Sequence, residues 1–334
     1  VRQSAYLLIA FICGYITFLI PVYFWQRWAP YLFLIGAVLL VLVLIPGIGL
    51  KINGSRRWIS LVVANFQPTE LVKLFTVMYA SDYVLRKSKQ MRTIVKGFLP
   101  MLGVMIFTGA LVFVEPDLGA LIVITAIAMG ILFLGGLTLR VILSLAILAP
   151  IGVWGAILIS PYKQARIRGF LDPWAPENVL GSGYQTTQAQ MAFGNGEFFG
   201  SGVGNSVAKL SFLPEAHTDF IMAIIGEEFG LFGVTIVIGL FAFLIIRMFG
   251  IAKESIKNNR HFAALMAQGV AIWFSIQCTI NIAVNLGLFP TKGLTLPLLS
   301  FGGSSVLVSV VAIAIVLRID HENRRNLRGQ HYNK

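Results

Sequence analysis

Asp219 stands at the end of Pro214-Glu215-Ala216-His217-Thr218-Asp219-Phe220-Ile221, where a long polar stretch gives way to an apolar run. A carboxylate at such a junction either caps the following helix or acts as a general base. Thr218 could cap alone, which leaves Asp219 as a candidate base with His217 two residues away. About two helical turns further on, Gly226-Glu227-Glu228-Phe229-Gly230 sets two carboxylates side by side. Adjacent helical residues diverge by about 100°. At least one of the pair, with Glu227 the candidate, therefore points inward, through hydrogen-bonded packing with a helix distortion or as part of a polar cavity. Gln67-Pro68-Thr69-Glu70-Leu71-Val72-Lys73 begins another apolar run, with Pro68 suited to the first helical turn. Glu70 and Lys73 share a helix face there. They read either as a structural ion pair or as an electrostatic element beside a substrate cavity. Glu115-Pro116-Asp117-Leu118-Gly119 reads as a tight turn, with Asp117 placed to cap the next helix.

The elements that hold these residues follow from composition. Of the 334 residues, 57% are hydrophobic and 12% charged, with mean hydropathy +0.82. Soluble domains carry about 25% charged residues. Soluble, disordered, collagen-like and disulfide-scaffold classes are excluded, and the chain reads as an all-α, polytopic helical membrane protein. Nine candidate spans fall at roughly 4–24, 31–50, 68–85, 97–115, 117–136, 139–160, 219–248, 262–289 and 300–318, each near the ~20 residues a span requires. Continuous rather than alternating apolar runs exclude a β-barrel. Cys13 and Cys278 read as buried thiols, with no disulfide or metal pattern.

Orientation follows from Lys/Arg asymmetry. One set of connections and the tail hold 16 basic residues, among them Arg27, Arg86, Lys87, Arg140, Arg247 and Arg324, and the opposite set holds 9. The richer side is expected to be cytoplasmic, with the C-terminus inside. The +12 net charge is then a property of cytoplasmic loops rather than of nucleic-acid binding. The chain begins at Val1 without a positive n-region, so no signal peptide is read. One missing N-terminal helix, making ten spans, is the expectation that fits nine spans and a cytoplasmic tail. Residues 161–218 form a long outer loop whose aromatics let it pack as an ordered cap. Arg56 and Arg57 (with Lys51), Arg166 (with Lys163 and Arg168) and Lys292 break the positive-inside trend. They read either as residues snorkelling to headgroups or as a site for a lipid-linked pyrophosphate. Gly200-Ser201-Gly202-Val203-Gly204 lacks a strand–helix frame, so it is read as turns or close backbone contacts rather than a nucleotide fingerprint.

These motifs resemble the SEDS proteins (shape, elongation, division and sporulation) of bacterial cell-wall synthesis. The resemblance rests on Gly54-Ser55-Arg56-Arg57-Trp58-Ile59, Phe66 to Lys73, Glu115 to Gly119, Gly181-Ser182-Gly183-Tyr184-Gln185, Leu213 to Ile221, Gly226 to Gly230, and Pro290 through Ser305, in family order. Asn205 to Leu210 and Thr291-Lys292-Gly293-Leu294-Thr295 look more like the division member than the elongation member. The family pattern often carries Gln where Glu115 stands, and an extra outside carboxylate is all that change is expected to bring.

The resemblance implies a single domain over the whole chain, with nine spans here of the family's ten and the family's first helix missing, and a peptidoglycan glycosyltransferase that polymerises lipid II at the division septum of the bacterial inner membrane. The family's essential outer-loop Asp maps onto Asp219, and its intramembrane Glu/Lys pair onto Glu70 and Lys73. Inverting attack of a sugar hydroxyl needs one base, for which Asp219 is the candidate, with His217 and Glu227 beside the cavity. Arg56, Arg57, Arg166 or Lys292 would neutralise the leaving pyrophosphate, a load that a divalent cation could share. No resident metal or other cofactor is implied. The implied partners are a class B penicillin-binding protein and other division proteins. The rival readings are a lipid II transporter and a non-catalytic division scaffold.

Overall fold

The computed structural model describes residues 2–52, 55–61, 64–145, 147–148 and 161–327. The chain divides into two compact units. The first comprises Val1–Thr138, Leu244–Ile276 and Gly302–Lys334, and the second Leu139–Phe243 and Gln277–Phe301.

In the first unit, α1 (Arg2–Leu19) packs along α10 (Gly303–Leu327), and α2 (Val22–Leu44) packs along α3 (Pro68–Arg86). α4 (Leu99–Val114), preceded by a π-helical turn at Ile94–Phe98, lies beside α5 (Leu118–Leu134), which also covers α3. Leu40, Val72, Val112, Ala120 and Ile124 form a buried cluster among these helices. Fifteen of the 19 residues of α3 are buried, Glu70, Lys73 and Asp82 among them, so these three groups face protein rather than lipid. A three-stranded antiparallel sheet joins α2 to α3: β1 (Gly49–Ile52), β2 (Ser55–Leu61) and β3 (Ala64–Phe66), with Leu50 opposite Trp58 and Ser60 opposite Asn65.

The second unit holds α6 (Pro161–Leu171), a short turn at Pro176–Val179, α7 (Tyr184–Gly196) and a π-helical turn at Ala208–Phe212. Residues 161–218 are thus largely helical. Ala189, Ala192, Ala208, Leu213, Phe220, Ala223 and Val284 form its buried core. Two long helices, α8 (Ile221–Lys257) and α9 (His261–Asn285), contribute residues to both units.

Among the described residues, five helices are long and apolar enough to cross a membrane: Val22–Leu44, Ile94–Val114, Ile221–Lys257, His261–Asn285 and Gly303–Asn326. Gln3–Leu19 and Leu118–Leu134 are shorter apolar helices. Several expected boundaries move. The first break comes at Pro21 rather than near residue 27, because a proline disfavours helix in the residue before it. Arg27 therefore lies inside α2, not in a connection. The expected span at 31–50 ends at Leu44, and Gly49–Ile52 is a strand instead. Gly49 permits this, since a Cβ there would lie 1.8 Å from the Val43 carbonyl oxygen. The 300–318 span starts at Gly303 and continues as helix to Leu327. Of the expected span at 139–160, residues 139–145 and 147–148 are helical and the remainder lies outside the described residues.

Candidate functional site

In the second unit, Asp219 sits in a turn that precedes α8, not within the helix. The turn is built on Glu215 (φ 56°), whose carbonyl accepts from the N–H groups of Thr218 (3.1 Å) and Asp219 (3.0 Å). The Thr218 hydroxyl donates to the Glu215 carboxylate at 2.9 Å, so it is spent within the turn rather than on a helix cap. The Asp219 carbonyl is gripped from α9. Asn281 and Asn285 are one helical turn apart and buried, and each donates Nδ2–H to that carbonyl at 2.9 Å. Asn281 also donates to the Leu294 carbonyl (2.6 Å), and Gln277 to that of Thr295 (2.8 Å). Asn285 accepts from the Ala223 N–H at 3.0 Å, which ties down the first turn of α8.

This polar row brings together two stretches far apart in sequence. Gly293 packs so near Asp219 that a Cβ there would lie 3.2 Å from Oδ2. Lys292, half-buried, is its neighbour. His217 is exposed, and its carbonyl accepts from the Phe301 N–H at 2.8 Å. Sequence reasoning missed the Asn pair. The signal was present as Gln277, Asn281 and Asn285 at four-residue intervals in an apolar run, a buried polar stripe that needs partners. Asn281→Ala or Asn285→Ala leaves the Asp219 carbonyl short of a donor. Each is expected to destabilise by about 1–3 kcal/mol. If Asp219 reacts with substrate, kcat falls about tenfold with KM unchanged. Thermal melts and steady-state kinetics of the single variants check both effects.

Glu227 does point inward, 2% exposed. Its carboxylate accepts from the Ser206 hydroxyl (2.6 Å) and from the N–H groups of Val207 and Ala208 (3.2 Å each). Glu228 pairs with Lys209 at 2.6 Å. The two carboxylates anchor one loop segment. The helix distortion lies at Gly230, with φ 65° and ψ −164°. Gly200 runs alongside, and a Cβ there would lie 2.1 Å from the Glu228 carbonyl oxygen. The Ser201 and Gly202 N–H groups donate to the Glu227 and Glu228 carbonyls at 2.9 and 3.1 Å. The glycine cluster therefore supplies close backbone contacts, as its sequence context indicated.

In the first unit, Lys73 Nζ meets Glu70 Oε1 at 2.8 Å, with side chains 0% and 7% exposed. The ammonium also lies 5.4 Å from the Trp273 ring centroid. Arg57 donates through Nε to the Glu115 carbonyl at 3.0 Å and through Nη2 to the Pro116 carbonyl. This ties β2 to the α4–α5 turn. Asp117 caps α5 as expected, accepting from the Ala120 N–H at 3.0 Å, and also accepts from Gln67 Nε2 at 3.2 Å. Arg56 is half-buried on β2, with Nη1 3.5 Å from the Leu44 carbonyl. Arg166 lies on α6, and its side chain is outside the described residues.

Glu115 brings more than an extra carboxylate to the turn: it is 0% exposed, with neither carboxyl oxygen hydrogen-bonded. Burial, and then the Asp117 charge, push its pKa up to about 8 against the pull of Arg57. Between about pH 4.5 and 8 the unfolded chain sheds this proton while the folded chain keeps it. Stability therefore falls as pH rises through that window. Glu115→Gln mimics the protonated form, so it is expected to flatten this slope and raise Tm by several degrees at pH 8.5, with little change at pH 4.5. Melting curves across pH check it. Among the described residues, no three His, Cys, Asp or Glu side chains converge as a metal site.

Over residues 1–325 the chain matches the family model of FtsW, RodA and SpoVE, described as cell cycle protein. The chain belongs to this family. It is 50% identical to the probable peptidoglycan glycosyltransferase FtsW of Aromatoleum aromaticum, over 98% of this chain and 80% of that one. The probable FtsW of Nitrosomonas europaea is 47% identical, over 98% and 84%. A solved chain from work on the structural coordination of polymerization and crosslinking by a peptidoglycan synthase complex superposes with TM-score 0.80 at 28% identity, covering 96% of this chain and 89% of that one. The rod shape determining protein RodA of Thermus thermophilus gives TM-score 0.66 at 25% identity, with 96% and 87% covered.

Proposed function

We propose that the protein is a peptidoglycan glycosyltransferase of the division type, polymerising lipid II from a helical bundle in a bacterial inner membrane, its C-terminus cytoplasmic. The observation that carries the reading is the Asp219 turn, locked by Asn281 and Asn285, in a chain half identical to relatives that bear this activity in their names. Asp219 removes the proton from a sugar 4-hydroxyl as that oxygen attacks the anomeric carbon of a second lipid II. The C–O bond to undecaprenyl pyrophosphate breaks with inversion. The pyrophosphate departs as an anion, so one base suffices where hydrolases use two carboxylates. Lys292, in the sequence neighbourhood of Gly293 and so of Asp219, and Arg166 are the cations proposed to offset its charge. Arg57 fits that task less well, because its guanidinium is engaged by the Glu115 and Pro116 carbonyls. His217 and Glu227 are proposed to act on the turn and loop around Asp219 rather than on substrate.

A class B penicillin-binding protein is the proposed partner, and the septum the proposed site of action. The test is incubation of the purified protein and its transpeptidase partner with lipid II, products resolved on a gel. Glycan polymer is the expected product. A folded, complexed protein that makes none moves the reading to transport or scaffolding.

A further inference from the structure

A cavity of about 600 Å³ lies in the first unit between one end of α2 and one end of α3, lined by Tyr23, Gln26, Arg27, Pro30, Tyr31, Asp82 and Arg86. It serves neither Asp219 nor the Glu70–Lys73 pair. Its chemistry is that of an anion site. Arg86 donates Nε–H to Asp82 at 2.6 Å and lies over the Tyr79 ring, 6.0 Å from the centroid. Tyr79 in turn stacks on Phe33 at 4.7 Å. The guanidinium is thereby held in place with both Nη groups left to donate, a pre-organised fork for phosphate. Arg27 is exposed, without an ion pair among the described residues. Asp82 is neutralised by Arg86, so the lining keeps one net positive charge. Tyr23 and Tyr31 add phenolic donors. Pro30 has no N–H to give to the Gln26 carbonyl four residues back, which leaves an acceptor at the cavity for a hydroxyl.

We infer that this cavity binds the phosphodiester headgroup of an anionic phospholipid, with its guanidinium groups on the phosphate and the Gln26 carbonyl on a headgroup hydroxyl. The volume suits a glycerophosphate headgroup. The site is at a helix end of a membrane-spanning bundle, where basic residues between helices take lipid phosphates. The Lys/Arg excess that continues past α3 as Lys87, Lys89, Arg92 and Lys96 assigns it to the cytoplasmic leaflet.

Native mass spectrometry of the full chain, released from detergent supplemented with phosphatidylglycerol or phosphatidylcholine, tests this. One retained phosphatidylglycerol is expected. Arg27→Gln should cut its occupancy about fivefold, and Arg27→Gln with Arg86→Gln further, while Lys89→Gln on the exposed connection leaves it unchanged. Arg27 is exposed, so its variant tests the site even if the double variant fails to fold. Equal retention of phosphatidylcholine, or an equal loss in Lys89→Gln, overturns the site as non-specific charge. Displacement of the lipid by millimolar inorganic phosphate overturns the lipid in favour of free phosphate.

Discussion

Asp219→Asn is expected to lower lipid II polymerisation by about 10²–10⁴-fold, the range removed with a general base. The substitution preserves size and the backbone. The Asp219 carbonyl, not its side chain, receives the Asn281 and Asn285 amides, so the turn survives and Tm stays close to that of the parent. Loss without unfolding is the signature of chemistry. The comparison uses initial rates of glycan formation with the partner present, the melting temperature and the binding of lipid II. Undiminished polymer from Asp219→Asn removes this carboxylate from the mechanism. Asp219→Ala is a harsher probe, expected to lose as much, and it shows whether Asn retains partial function through water. In the variants of Asn281 and Asn285 the carboxylate remains but its anchor weakens, so their smaller kcat losses should vanish when placed on top of Asp219→Asn.

Breaking the buried pair of α3 has the second large effect, this time on stability. Lys73 and Glu70 are 2.8 Å apart with side chains 0% and 7% exposed. Removing one partner strands the other charge away from water. Lys73→Met and Glu70→Gln are each expected to destabilise by about 3–5 kcal/mol. Glu70→Gln with Lys73→Met should lose far less than the sum of the two, because a buried pair and a well-packed apolar replacement are often close in free energy. Lys73 has the additional Trp273 contact, so Lys73→Met is the more damaging single change. A double-mutant cycle on thermal or denaturant unfolding in detergent measures the coupling. Additive losses would argue that the pair is not an energetic unit. A Lys73→Met protein with parental Tm and no polymerase activity would assign the pair to substrate instead of to the bundle.

The sequence by itself determined the class of protein. A charged fraction of 12% and long apolar runs leave only a helical bundle with most backbone polar groups satisfied within each segment. It also determined what depends on near neighbours. Pro68 begins α3, Asp117 caps α5, and Glu70 meets Lys73 at i,i+3, because helix geometry sets those distances without reference to the rest of the chain. The distortion at Gly226 to Gly230 was legible for the same reason. The small sheet at Gly49–Phe66 was not read from the sequence, because hydropathy absorbed its first strand into a helix.

Tertiary structure decided everything that joins residues far apart. Nothing local in Asn281 or Asn285 says that their amides hold the Asp219 carbonyl 62 and 66 residues earlier. Nothing in Arg57 says that its donors end on carbonyls 58 and 59 residues later. Glu115 has the spelling of a surface turn, yet packing excludes water from it and leaves its carboxyl without donors. Burial and hydrogen-bond satisfaction are properties of the packed chain, and the sequence lists only the groups that must be satisfied.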